Sequence, residues 1–203
     1  MPRPKEFDED KVLTSAMELF WQRGYAATSL SELTACMGIS RQSMYDTYGD
    51  KHALFLKALD RYCVLVGERL LGPLARENAG VAEIEQTIIA FIDFLVAYPT
   101  PRACLMANSA MEIAPHDQTV ALKVQDFHRT LERAFARALE TARDHGEIGG
   151  PADAEMLARF LVAAANGLAV AAKTGVGKDE LLAIADIALR TLRPAPTTVA
   201  AEG

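Results

Sequence analysis

The chain reads as a succession of amphipathic helices. From Asp8 to Arg23, the residues Val12, Leu13, Ala16, Leu19 and Phe20 recur at the spacing of one helical face. Asp8, Glu9 and Asp10 stand at the start of this stretch and Arg23 at its end, as the dipole of a helix favours. Gly24 fits a left-handed stop. A second helix is predicted over Leu30 to Met37. Ser29 and, three residues later, Glu32 have the spacing of a capping box at its start, and Gly38 stops it. Ser40 caps a third helix, Arg41 to Tyr48. Asp50 caps a longer fourth, to about Leu71, with Leu54, Phe55, Ala58, Leu59 and Tyr62 on one side.

Longer periods follow. Ile84, Ile88, Phe91, Leu95 and Tyr98 mark a helix ended by Pro99 and Pro101, and Cys104 to Ile113 marks another. Val120, Val124, Phe127, Leu131, Phe135, Ala138 and Ala142 mark a long one that Gly146 stops. Two more are expected at about Ala154 to Lys173 and Asp179 to Leu192. The stretch from Gly72 to Gly80 is the best hinge between two parts. The tail after Leu192 has no period and is expected to be disordered. No segment alternates with period two and no Asn-Gly or Asp-Gly hairpin signal occurs, so the expected class is all-α.

Composition narrows this picture. Hydrophobic residues make up 50% of the chain, enough for a substantial core. No run of 18 uncharged apolar residues suggests a membrane span, and the charged opening lacks a signal core, so a cytoplasmic protein is expected. Cys36, Cys63 and Cys104 are odd in number, with no C-x-x-C pair. They are expected to be free thiols, and the four histidines have no metal-ligand spacing. Neither metal nor cofactor is expected. The net charge of −6 does not advertise nucleic-acid binding. Any DNA reading must therefore rest on where individual charges sit, with an acidic body suppressing loose association.

Two short capped helices joined by Met37-Gly38-Ile39-Ser40 have the form of a helix-turn-helix. Gly38 permits positive φ, Ile39 plugs the angle and Ser40 caps the second helix, which presents its first turn to base edges. The stretch from about Pro4 to Tyr62 resembles the TetR/AcrR DNA-binding domain. The resemblance lies in Ala16 to Phe20, Gly24-Tyr25, Thr28-Ser29-Leu30, Leu33, Gly38-Ile39-Ser40, Met44-Tyr45, Tyr48, Lys51 and Leu54-Phe55. It implies a DNA-binding domain over residues 5–65 with a linking helix to about 71. Candidate DNA contacts are Thr28, Ser29, Ser40, Arg41, Gln42, Ser43, Tyr45 and Lys51. Arg41 suits guanine O6/N7 and Gln42 adenine N6/N7, each bidentately. Tyr45 suits a phosphate, and Lys51, Thr28 and Ser29 stand at helix starts that favour anions. Met44 and Tyr48 are assigned to the core, Asp46 to the surface and Asp50 to a cap.

The same resemblance implies a helical ligand-binding and dimerisation domain over residues 80–193, a homodimer formed by the last two helices, and a small-molecule effector. The second-last helix carries Leu161, Ala164, Gly167 and Leu168, and the last is apolar around much of its girth. Candidate ligand residues are Tyr98, Cys104, Asn108, Met111 and Phe127. Cys104, Asn108 and Met111 fall at i, i+4 and i+7. Their segment resembles that of a TetR branch in which some members sense electrophiles through a thiol, with Ala103 in place of the usual glycine. The expected function is a repressor released from its operator by a small molecule. A thiol trigger at Cys104 is the alternative and an all-helical enzyme a remote one. No H-E-x-x-H, P-loop, G-x-S-x-G or dinucleotide fingerprint occurs, and no catalytic residue is assigned.

Overall fold

The structure is a computed structural model that describes residues 7–98, 102–149 and 153–192. Among these residues every regular element is helical. The α-helices are α1 (Glu9–Arg23), α2 (Leu30–Met37), α3 (Arg41–Tyr48), α4 (Lys51–Leu70), α5 (Val81–Val96), α6 (Leu105–Glu112), α7 (Gln118–Asp144), α8 (Ala154–Lys173) and α9 (Lys178–Arg190). Among the described residues a 3-10 turn, Pro73–Ala75, lies within the Gly72–Gly80 stretch. The tail after Leu192 lies outside the described residues.

The chain divides into two compact units. One comprises the residues up to Arg69 together with Arg102–Phe127, the other Leu70–Pro101 and the residues from His128 onward. In the first unit the core is aromatic. Phe20 meets Phe55 edge-on at 5.0 Å, Trp21 meets Tyr62 at 5.2 Å, and Tyr62 lies 6.1 Å from Phe127. Met17, Leu33, Met44, Leu54 and Leu59 fill the space between. Each such side chain contributes roughly 1.5–3 kcal/mol by leaving water.

The segment Arg102–Phe127 is tied to the N-terminal helices by directed bonds. The Trp21 indole donates to the carbonyl of Ala103 at 2.8 Å. Glu112, at the end of α6, accepts from the backbone N–H groups of Tyr25 and Ala26 at 3.1 and 2.7 Å. Gly24 allows that approach: a Cβ there would stand 2.8 Å from the Glu112 carboxylate, and its φ of +84° suits glycine. His52 pairs with Asp117, which caps α7, and Lys123 pairs with Asp60. Ala103 itself holds φ at +58°, in the left-handed region where a side chain is strained.

In the second unit α5, α8 and α9 pack on one another. Ile84, Ile88, Ile92 and Leu95 of α5 are buried, as are Leu161 and Leu168 of α8 and Leu181 and Leu189 of α9. Glu147 closes the α5 start by accepting from Val81 N–H at 2.9 Å. By length and composition alone α8 could cross a bilayer. Here its Ala158, Leu161, Leu168 and Ala172 are buried, and Glu155 and Arg159 sit on its other side.

Candidate nucleic-acid interface

Local chemistry sets the helix-turn-helix. Ser29 accepts from Glu32 N–H at 3.2 Å, and the Glu32 carboxylate accepts from Ser29 N–H at 2.8 Å, completing the capping box. Glu32 also pairs with Arg23 across the α1–α2 turn. The Ser29 backbone bond, the Ser29 hydroxyl and the Arg23 charge hold its carboxyl below the usual range. Gly38 turns the chain with φ +65° and ψ 26°, a left-handed conformation that ends α2. Ser40 then caps α3, accepting from Ser43 N–H at 3.0 Å.

Helix α3 separates its residues cleanly. Met44 and Tyr48 are buried, at 0% and 6% exposure, and root the helix in the first unit's core. Arg41, Gln42, Tyr45 and Asp46 are exposed. Arg41 makes no hydrogen bond or ion pair with any described residue. Gln42 donates from Nε2 to Asp46 Oδ1 at 2.7 Å. The Ser40 and Ser43 hydroxyls lie 2.9 Å apart and face each other at the helix start. On α4, Asp50 accepts from Ala53 N–H at 2.7 Å, which places Lys51 in the first turn. The Lys51 ammonium sits 4.3 Å above the Tyr25 ring. Partial burial pulls its pKa down, and the Glu112 charge opposes that shift.

Thr28 departs from its expected place. It is 1% exposed, and its hydroxyl donates to Gly24 O at 2.6 Å. The side chain braces the turn before α2 and does not reach outward for a phosphate.

The candidate ligand residues differ sharply in exposure. Cys104 has extended backbone angles and stands at the N-cap position of α6, where its carbonyl accepts from Asn108 N–H at 3.0 Å. Cys104 is buried while Met111 is 68% exposed. Asn108 is half-buried and donates to Arg102 O at 3.0 Å, which holds the turn preceding α6. Phe127 is buried beside Tyr62. Tyr98 follows the end of α5 in the second unit. Burial pushes the Cys104 thiol up, and the nearby Tyr62 hydroxyl offsets this only in part. That hydroxyl is wholly enclosed and has no hydrogen bond of ordinary geometry to any described residue. Burial, with the Asp60 charge behind it, raises the Cys63 thiol to about 11.

Sequence reasoning missed three features of this region. The Gln42–Asp46 bond has the i, i+4 spacing that the sequence displays, yet Asp46 was read only as surface. Glu112 and the Trp21–Ala103 bond join residues more than eighty positions apart, and no local signal marks them.

Known proteins place the chain. The profile of "Bacterial regulatory proteins, tetR family" matches residues 12–58, and that of "Tetracyclin repressor-like, C-terminal domain" matches residues 80–185. The uncharacterised HTH-type transcriptional regulator YezE of Bacillus subtilis is 38% identical over 197 residues, 95% of this chain and all of that protein. The HTH-type transcriptional repressor ComR of Escherichia coli is 32% identical, over 93% of this chain and 90% of its own. Among solved structures, a cysteine variant of the TetR family transcriptional regulator CifR, complexed with 26-bp double-strand operator DNA, matches with a TM-score of 0.84. It is 29% identical and covers 94% of this chain and 99% of its own. With its two halves matched in order and its helix-turn-helix capped as the sequence indicates, the chain belongs to the TetR family of DNA-binding transcriptional regulators and is not an enzyme.

Proposed function

We propose that the chain is a homodimeric, cytoplasmic repressor whose two α3 helices read half-sites of operator DNA, and that a small molecule releases it. One observation carries the DNA reading. A helix fixed at its start by Ser40 buries Met44 and Tyr48 and turns Arg41, Gln42 and Tyr45 outward. Arg41 suits guanine and Gln42 adenine in the major groove. Ser29, Ser40, Ser43, Tyr45 and Lys51 suit the phosphate backbone on either side. The operator complex of CifR and the repressor activity named for ComR support the same reading.

In this division of labour, residues 5–65 read DNA and residues 80–193 hold the effector and the partner. The protomer exposes Phe160 and Val170 on α8 and Ile184 and Ile187 on α9. Between these helices lies an apolar groove of about 220 Å³ lined by Leu168 and by Ala164, Gly167, Ala171 and Ala188, whose small side chains let a partner helix approach closely. Burial of the Cys104 thiol favours a reversible effector over covalent attack at that sulfur.

Gel retardation tests the proposal. Purified protein should retard a duplex taken from its own upstream region, and a cognate small molecule should release it equally from wild type and Cys104→Ser. Failure to retard any duplex, or sedimentation as a monomer at micromolar concentration, would overturn the operator reading. Release that vanishes in Cys104→Ser would restore the thiol trigger.

A further inference from the structure

Asp46 sits oddly for a residue of a DNA-reading helix. At about 100° per residue, Gln42 and Asp46 fall roughly 140–180° from the mean direction of Met44 and Tyr48. They form the outermost ridge of α3, flanked by Tyr45 and Ser43. A carboxylate on the rim of such a face would meet phosphates and be repelled. On the outermost ridge it meets base edges, where only the amino groups of cytosine N4 and adenine N6 donate to it. It is also already engaged, since Gln42 Nε2 donates to Asp46 Oδ1 at 2.7 Å.

That bond fixes what Gln42 offers. A free glutamine amide has two N–H donors and one carbonyl acceptor. With both donors turned to the groove it can serve the two acceptors of guanine, O6 and N7. With one N–H held by Asp46, the groove sees one donor beside one acceptor, the complement of adenine N7 and N6–H. Turning the amide over would set its carbonyl against the Asp46 carboxylate. We infer that Asp46 is a specificity-determining residue of the DNA site: it orients the Gln42 amide so that adenine is accepted and guanine refused at one base pair of each half-site. This rests on the reading that α3 enters the major groove.

The inference separates from a simple charge effect. Removing the carboxylate should strengthen binding to every sequence, because one repulsive charge per protomer is gone. Loss of orientation should act at a single position. Asp46→Asn removes the charge and also frees the orientation, because its own amide can turn over and donate to Gln42 Oε1, whereas Asp46→Glu keeps an acceptor-only carboxylate.

A randomised duplex library, enriched on the full-length dimer, gives the preferred half-site. Each single base-pair variant of that site is then measured by fluorescence anisotropy with wild type, Asp46→Ala, Asp46→Asn, Gln42→Ala and the Gln42→Ala/Asp46→Ala double variant. Wild type should prefer adenine over guanine at one position by on the order of tenfold to a hundredfold. Asp46→Ala and Asp46→Asn should each shrink that ratio to a few-fold and leave the preferences at other positions unchanged. In the Gln42→Ala background, Asp46→Ala should add nothing at that position. A profile unchanged in Asp46→Ala, or weakened equally at all positions, overturns the inference. A wild type that enriches no sequence overturns the groove reading on which it rests.

Discussion

Replacing Ala103 by glycine should stabilise this regulator. Ala103 holds φ at +58°, where a Cβ crowds the following carbonyl and costs roughly 1–2 kcal/mol. The conformation is imposed from both sides. The Trp21 indole holds the Ala103 carbonyl at 2.8 Å, and the Asn108 amide holds the Arg102 carbonyl at 3.0 Å. Glycine keeps both bonds and removes the crowding, but it gives up roughly 0.5–1 kcal/mol in chain entropy. The net gain is centred on about 0.75 kcal/mol. In a chain of this size that raises the melting temperature by about 1–4 °C. Thermal unfolding followed by circular dichroism, paired with urea titration, measures it. Ala103→Val is the opposing control, since a β-branched residue at positive φ is strained further. A glycine variant that melts at or below wild type, with a valine variant unchanged, would refute the argument that the indole bond holds Ala103 left-handed.

Other expected outcomes are accessible with standard assays. Ile187, 67% exposed on α9, should tolerate glutamate in the protomer yet lose the dimer, seen as monomer by sedimentation with retained helicity. Ser40→Ala removes the α3 cap and should cost about 1 kcal/mol in urea titration and weaken operator binding in parallel. Under native conditions a thiol reagent should label Cys36 first and Cys63 slowly, and should reach Cys104 only on denaturation, as mass spectrometry would show. Burial lowers the His128 pKa against the opposing Glu132 charge, so the folded state binds a proton less readily than the unfolded chain. Stability should therefore fall as pH drops through the ordinary histidine range, and His128→Gln should flatten that part of the profile.

The helix-turn-helix was legible because its determinants are local. Ser29 with Glu32, Gly38 and Ser40 satisfy helix ends with their own neighbours, so α2 and α3 begin and end where the sequence puts them. The core residues Met44 and Tyr48 follow from period alone. Thr28 was misread because a hydroxyl near a helix start looks the same in sequence whether it faces inward or out. The spacing of Cys104, Asn108 and Met111 gave no hint of their different depths, since Cys104 is buried at the start of α6 and Met111 is 68% exposed near its end. Glu112 was invisible because its partners are backbone N–H groups of Tyr25 and Ala26, which carry no side-chain signature.

The split composition of the first unit bears on how the protein is made. Trp21, Tyr25 and Tyr62 find partners in Ala103, Glu112 and Phe127, and the chain between Arg69 and Arg102 belongs to the other unit. A ribosome that has released residues through Arg69 must add the chain to Phe127 before that unit can close, roughly 3–12 s at ordinary elongation rates. During that interval the Trp21 and Tyr62 rings lack their later neighbours and offer a surface to holdase chaperones. The DNA-reading head is therefore not a cassette that can be excised at Gly72. A fragment ending there should bind a hydrophobic dye, and adding a synthetic peptide spanning Arg102 to Phe127 should quench it.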